Sequence, residues 1–531
     1  MRALIATCAL SALVSLAVNR WSETVKTYRP WNPEQSYLLP PSPSEWLPQG
    51  HLAYFILDVV KEVELSAIKH AVDIKDARGT LPYSPVMMIA LLLYAYCVGV
   101  FSSRRIERAT YEDVAFRVIS GGNHPHFTRI AEFRRTHIDA FAAIFEQTVK
   151  LCERAGLVKL GLVALDGTKM QGNASKHKAM SYERMESEEK RIKEEIASLL
   201  QRAEEADQSE DERYGKGQRE EDLPAELRRR EGRLEKIRAA KRALEQEALR
   251  TRKERLEEMA AEQEQSASTH DDPVERKRAA TRAKKHRDEA QTVDDRLDDD
   301  EPPSGSTASP SGLDTHRVKA KPDGSPDAKA QYNFTDPDSR IQKSGGAYVQ
   351  GYNCQAAVDA EAQVIVAQGV TNLQPDNSHL QPMLEQSAAT CDRHPAAALA
   401  DAGYWTCDNA AYGETHDIDL YISTRRHRHG KTIAPDGAGG VDADSDADTA
   451  DADPRARMRA RLVTDGGRAL YARRKAIVEP VFGQIKDARG FRRFLLRGMR
   501  KVSGEWALLT ATHNLLKYFR YASANCLVTA A

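Results

Sequence analysis

The 531-residue sequence predicts an α/β protein: a mixed sheet flanked by helices, with an all-helical N-terminal domain before it and a helical-hairpin insertion within it. Three observations predict this. Residues 46–155 repeat apolar side chains at helical spacing. Short apolar runs that read as strands begin at Gly161 and resume after Tyr332, alternating with short helical stretches. Between them, from Ser181, the composition changes abruptly to Glu, Lys, Arg, Ala and Leu.

Residues 1–45 form a poorly patterned extension with Pro and Trp clusters at Tyr28–Trp31 and Pro40–Pro43. The run Ala3–Val18 after Arg2 resembles a signal-peptide core, yet it lacks a small-x-small cleavage site. A dispensable extension, or a start placed too far upstream, is the expectation. His51–Lys69 opens the helical domain. Val86–Phe101, sixteen residues after Ser84-Pro85, is too short to span a bilayer comfortably and reads as a buried helix. Tyr111–Ile119, a Ser-Gly-Gly-Asn turn and Phe127–His137 read as helix, turn, helix, with Arg129, Arg134 and Arg135 on the second. That spacing suits a DNA-reading helix-turn-helix and equally an ordinary helical hairpin.

The core occupies 156–180, 329–434 and 455–525. Gly161–Met170 reads as a strand leading into Asp166. Within 181–264, Met185, Ile192, Ile196, Leu199 and Ala203 fall at spacings of three, four and seven, as do Leu227, Leu234, Ile237, Leu244 and Ala248. The polar stretch Asp207–Asp222 divides them into two helices, a folded-back hairpin or a coiled-coil partner surface. Residues 265–328, rich in Asp, Ser, Pro and Lys, read as a flexible linker. Tyr348–Val358 and Gln363–Thr371 read as paired strands, His379–Thr390 as helix, Ala396–Ala400 as a buried strand, Asp408–Thr415 as helix and Ile418–Ser423 as strand. Residues 435–454 are an acidic low-complexity loop. A helix around Glu479 and a final amphipathic helix, Ser503–Tyr521, complete the chain.

A formal net charge of -1 hides strong segregation. Between Arg468 and Lys501 eleven Lys or Arg face only Glu479 and Asp487, a local balance of +9, whereas Asp442–Asp453 holds six Asp and no cation. Overall neutrality therefore does not exclude a nucleic-acid partner, because the local field decides. The seven cysteines are scattered without a Cys-x-x-Cys pair, which suits a reduced compartment and gives no zinc signature.

With the insertion left out, the core reads strand (Asp166), strand, strand, helix, strand (Asp401), helix, strand, helix (Glu479). That is the element order of the ribonuclease-H-like fold, in which the first strand and the end of the fourth lie side by side under the late helix. Three carboxylates delivered this way can hold two Mg²⁺ ions, with Mn²⁺ as the alternative, roughly 3.5–4 Å apart for in-line phosphoryl displacement. Ile477, Val478, Val481, Phe482 and Ile485 form the apolar face of the Glu479 helix, and Pro480 suggests that it kinks or begins nearby. Taken alone, this is a surface helix with ordinary charges.

At these residues the chain resembles a bacterial insertion-sequence DDE transposase over nearly everything from Tyr28 to Tyr521. The marks are Leu165–Lys169 with Asn173–Lys176, Asn333–Arg340, Gly351–Asp359, Ala400–Tyr404 and Val478–Lys486, in that order. The helical part before the core is similar to the InsH-like domain of such transposases. The resemblance implies Asp166, Asp401 and Glu479 as catalytic metal ligands. The family's last carboxylate sits in Tyr-x-x-Arg-x-x-x-Glu-x6-Lys. Glu479 and Lys486 fit, but the position four before Glu479 is Lys475, and Tyr471 precedes it by four rather than three. Arg474 or Lys475 is then the cation that joins Lys486 on the terminal phosphates, beside Tyr471. Arg489, Arg492, Arg493 and Arg497 are placed on the DNA backbone. The resemblance further implies cleavage and strand transfer at inverted repeats, a homodimer on double-stranded DNA, and a cytoplasmic, nucleoid-associated protein without membrane or small-molecule cofactor.

Other residues have plainer readings. Asp336 and Asp338 suit turn formation better than metal ligation. Tyr404 and Trp405 suit packing better than stacking on a flipped base. The Asp442–Asp446 run mimics a calcium loop but has Ala447 where glycine is needed. Two functional alternatives stand beside the recombinase: a catalytically inactive, domesticated or decayed DNA-binding protein, and a nuclease of the same fold without strand transfer.

Overall fold

The structure is a computed structural model, and it describes residues 42, 45–73, 82–214, 225–297, 309–344, 346–424 and 453–529. The Ala3–Val18 run and the Asp442–Asp446 run lie outside the described residues. The chain divides into Met1–Trp46, in which the Glu45 N–H donates to Ser42 O at 2.8 Å, and Leu47–Ala531. Among the described residues, every α-helix and β-strand belongs to the second unit.

Seven helices come first: α1 (Leu52–Glu62), α2 (Ser66–Asp73), α3 (Pro85–Cys97), α4 (Ser103–Glu112), α5 (Val114–Ser120), α6 (Phe127–Thr136) and α7 (Ala140–Arg154). α3 has no polar face, and every residue from Met88 to Cys97 is buried, so it forms the centre of the helical layer. No helix among the described residues is long and apolar enough to cross a membrane. The expected helix from Tyr111 is in fact two, because Asp113 stops α4 and caps α5 by accepting from the Ala115 and Phe116 N–H groups at 2.8 and 3.2 Å. α5 ends at Gly121, whose φ of 56° is left-handed.

Next comes the mixed sheet: β1 (Val163–Gln171), β4 (Arg340–Ser344), β5 (Ala347–Asp359), β6 (Ile365–Thr371), β7 (Ala397–Ala400) and β8 (Asp419–Ile422). β5 pairs antiparallel with β1 from Val163↔Asp359 to Gln171↔Gly351, and β4 and β6 share its other edge. On the far side of β1 lie β7 and β8, both parallel to it. The strands run β6–β5–β1–β7–β8, with β5 alone reversed and β4 added as a hairpin. A Cβ at Gly351 would sit 2.0 Å from Met170 O, so only glycine allows the β1–β5 approach there. Flanking helices are α11 (Leu380–Cys391), α12 (Cys407–Thr415), α13 (Pro454–Val463), α14 (Asp465–Gly483) and α15 (Met499–Thr529).

α15 departs from the expected amphipathic helix. Val502 to Leu515 are buried on every side, because the helix runs between β6 and the helices α3 and α7. The helical layer and the sheet therefore share one core.

The insertion leaves and returns through a two-stranded sheet, β2 (Ala179–Ser181) against β3 (Gln331–Asn333). It holds α8 (Tyr182–Tyr214), α9 (Ala225–Thr269) and α10 (Pro273–Asp294). The last of these corrects the linker expectation for 265–328. Ala279, Ala283, Ala290 and Val293 make a buried small-residue stripe on α10, of which Ala290 and Val293 pack on Leu249 and Leu256 of α9. Alanine supplies that stripe without the bulky apolar residues on which the composition argument turned. From Ser309 the chain is tied to the sheet and to α9: Ser309 Oγ donates to Val370 O at 2.6 Å, and the buried Val318 N–H donates to Glu247 at 3.1 Å.

Candidate functional site

β1 carries Asp166 and β7 ends one residue before Asp401. The parallel register pairs Ala164 with Leu399, so each aspartate lies two residues beyond that pair on adjacent strands. Each carboxylate is oriented by a backbone N–H that follows it: Asp166 Oδ1 accepts from the Gly167 N–H at 2.8 Å, and Asp401 Oδ1 from the Gly403 N–H at 2.8 Å. Burial pushes the Asp166 carboxyl up to about 6; Arg474 pulls it back and the Asp401 charge adds to the rise. The Asp401 charge thus adds to the cost of ionising Asp166, and a cation beside Asp166 offsets it.

α14 provides that cation. Arg474 Nη1 is 3.0 Å from Asp166 Oδ2, with both side chains largely buried. Burial alone would lower the Arg474 pKa, but Asp166, Tyr471 and Asp401 outweigh it and raise it. Tyr471 hydrogen-bonds Ser423 and Arg474 beside Asp401. Lys475 is exposed, so Arg474 is the residue that reaches the carboxylates. Of the two expectations for Pro480, that α14 begins there is not met, because the helix runs through it from Asp465 to Gly483. Proline cannot donate to the Ala476 carbonyl four residues back, and Gln363 Nε2 fills the gap at 2.9 Å. The helix then widens into a π turn, Gln484–Ala488. Lys486 in that turn donates to Thr168 Oγ1 and to Lys169 O, over the middle of β1. Glu479 is exposed. Among the described residues no three His, Cys, Asp or Glu side chains come together closely enough to hold a metal ion. The structure thus joins Asp166, Asp401, Arg474, Tyr471 and Lys486, and leaves Glu479 at the surface of the same helix.

A second group was not marked by the sequence. Asp376 Oδ1 accepts from Asn353 Nδ2 at 2.6 Å, Gln355 Nε2 at 2.8 Å and Lys169 Nζ at 3.3 Å. Its carboxylate lies beside the backbone that follows both aspartates, since a Cβ on Gly167 would meet Oδ1 at 2.9 Å and one on Gly403 would meet Oδ2 at 3.5 Å. Asn353 and Gln355 belong to the Gly351–Asp359 run, but the loop that brings Asp376 to them gave no signal beyond a polar approach to α11.

The other basic residues separate by burial. Arg134 is turned inward, donating to Tyr96 Oη at 2.8 Å and Phe101 O at 3.1 Å, so it cannot contact DNA. Arg489 is likewise withdrawn: its guanidinium is held by Leu509 O and Thr512 Oγ1, and burial lowers its pKa to about 10. Arg489 was expected on the phosphate backbone and Arg134 on a DNA-reading helix; α6 presents Arg134, and the turn after α14 presents Arg489, to the shared core. Arg129, Arg135, Arg492, Arg493 and Arg497 are exposed. Arg493 and Arg497 hold Asn173 at 2.6 and 2.9 Å beyond the end of β1. Tyr404 is fully buried on Gln355, which fits packing rather than base stacking. Asp336 and Asp338 accept from the Gly498 and Met499 N–H groups at 3.0 and 2.7 Å and so cap α15.

Residues 313–515 match the family model described as Transposase DDE domain, and residues 41–136 match Transposase domain (DUF772). The first match spans Asp401, Arg474, Glu479 and Lys486. The chain belongs to the insertion-sequence DDE transposases. Asp166 lies before the first match, on the far side of the insertion that divides the transposase core. No curated protein and no solved structure matches the chain.

Proposed function

We propose that this transposase cuts DNA strands at the inverted repeats of an insertion sequence and joins the freed 3′-hydroxyls to target DNA, using Asp166, Asp401 and Glu479. The observation that carries the reading is the parallel β1–β7 pair, which sets Asp166, within β1, beside Asp401, just past the end of β7, with Arg474 on Asp166. The order β6–β5–β1–β7–β8, with β5 alone reversed, supports a ribonuclease-H-like core.

The donor set suits a hard divalent cation: both aspartates present carboxylate oxygens, and each commits its Oδ1 to a backbone N–H. Asp166 and Asp401, with Glu479 from α14, are the residues that would hold Mg²⁺ or Mn²⁺, two ions in the proposed stoichiometry. When bound, the metal supplies an activated attacking oxygen and neutralises charge at the scissile phosphate. The chain's own contribution is positional. Arg474 places a fork of donors beside Asp166, and a guanidinium matches a phosphate as well as a carboxylate. Lys486 brings a second cation over β1. Exposed Arg492, Arg493 and Arg497 extend that field along the surface, and Arg129 and Arg135 do so on α6. Pairing two element ends requires a homodimer on double-stranded DNA, and the DNA substrate places the protein in the cytoplasm at the nucleoid.

The test is incubation of purified protein with a labelled duplex carrying the element's end and Mg²⁺, beside Asp401→Ala. Metal-dependent nicking lost in the variant is expected. Nicking that persists in Asp401→Ala would overturn the reading. The exposed Glu479 favours the second reading, an inactive DNA-binding protein; end binding without cleavage by either protein would select it.

A further inference from the structure

We infer that the outer face of α10, in the insertion, binds the phosphate backbone of duplex DNA; this rests on the reading of the protein as a DNA strand transferase. From Arg276 to Arg287 the helix carries seven Lys or Arg and no Asp or Glu. All seven are exposed, because the alanine stripe turns the opposite face onto α9. At about 1.5 Å per residue those cations occupy roughly 16 Å of helix, against a duplex that carries one negative charge per about 1.7 Å of its axis.

The rest of the insertion neutralises itself. Arg230, Arg233 and Arg238 of α9 pair with Glu195, Glu188 and Glu189 of α8 at 2.9, 2.6 and 3.1 Å. On α10, Arg278, Lys285 and Arg287 have acidic neighbours in Glu275, Glu289 and Glu264. Arg276, Lys277, Arg282 and Lys284 have no ion-pair partner among the described residues. An ordinary solvated helix interleaves its charges, as α8 and α9 do. A face that segregates cations keeps a repulsive cost unless an anionic partner relieves it.

A separate feature lies on the side of α10 that meets α9. A groove of about 620 Å³ between α9, α10 and the 319–322 loop is lined by Arg252, Arg255, His286 and Lys319, with Glu289 as the acidic member. His286 Nδ1 is buried in the structure without a hydrogen-bond partner. Three cations, a partnerless ring nitrogen and one carboxylate make a site suited to a phosphate oxygen.

The experiment is equilibrium binding of the full chain to duplex DNA over a range of salt, beside Arg276→Gln, Lys277→Gln, Arg282→Gln and Lys284→Gln combined. These positions are exposed and unpaired, so the fold is retained; a charge-keeping set, with each Arg made Lys and each Lys made Arg, checks this. Each lost phosphate contact lowers the slope of log affinity against log salt by about 0.9. The expected result is a slope lower by about two to four in the neutral set and unchanged in the charge-keeping set. A change below about one overturns the inference, even if the unsubstituted chain cleaves its duplex, which would leave the catalytic reading standing. Failure of the unsubstituted chain to bind duplex at all overturns both.

Discussion

Arg474 and Lys475 show what one helical step decides. Neighbouring positions on a helix point about 100° apart, so the rotation of α14, set by buried Ile477, Val478 and Val481, sends Arg474 to Asp166 and Lys475 to solvent. The sequence named both, and only packing could choose. Replacing Arg474 with Gln is expected to slow strand cleavage by on the order of 10²-fold, as loss of one donor to a developing anion does. Lys475→Gln should leave the cleavage rate unchanged. Initial rates on a fixed duplex decide, and a Lys475→Gln defect equal to that of Arg474→Gln would reverse the assignment. Asp376 was illegible for a different reason: a lone Asp in a polar loop before a helix reads as a turn former, and its three donors come from two distant strands. Asp376→Asn keeps the shape but removes the charge beside Lys169. The expectation is slower cleavage with near-normal thermal stability, measured on one preparation; an unaltered rate would leave Asp376 as filler.

Strands and helices of the core were legible because each had its own periodicity, and the β5–β6 pair falls where the runs Tyr348–Val358 and Gln363–Thr371 placed it. Elements whose signal is small or shared were not. α10 reads as linker by composition, since its contact face is alanine. α15 reads as amphipathic over Ser503–Tyr521, because its polar residues are satisfied inside: Glu505 accepts from the Leu495 and Leu496 N–H groups at 3.0 and 3.1 Å, and Asn514 exchanges hydrogen bonds with Ile365. The start of α15 depends on the Asn333–Arg340 run, where Asp338 caps Met499 and buried Asp336 also accepts from Tyr352. Removing an N-cap carboxylate typically costs about 1 kcal/mol, with a range of roughly 0.5–2. Asp338→Ala should therefore lower the thermal midpoint by a few degrees without changing metal dependence. An unchanged midpoint would remove Asp338 from the cap.

On the scale of the molecule, the helical layer and the sheet are joined by buried polar groups that no local pattern announces. Glu505 of α15 accepts from Tyr96 of α3 at 3.0 Å, and Arg134 of α6 donates to the same hydroxyl; the arginine expected to read DNA instead ties three helices together. His513, also on α15, is fully interior, with its Nε2–H on Gln363 O at 2.9 Å. Burial, reinforced by the charges of Arg489, Lys517 and Arg520, lowers its pKa to about 3 while the Gln363 carbonyl opposes. The folded protein therefore keeps this ring neutral where an unfolded chain, at about 6.5, takes up a proton. Its contribution is complete above pH 6.5 and is lost progressively as pH falls towards the folded value. The slope reaches at most about 1.4 kcal/mol per pH unit. Other groups titrate in the same window: His316, lowered to about 4, adds to the loss, whereas Glu247, raised to about 7, loses its contribution as pH rises. The difference between the unsubstituted chain and His513→Gln isolates the one ring, because glutamine can still donate to Gln363 O and does not titrate. Denaturant unfolding from pH 7.5 to pH 5 should show the unsubstituted chain losing stability faster than the variant. Parallel curves would mean that His513 is hydrated or charged in the fold, and that α15 does not seal the contact between the helical layer and the sheet.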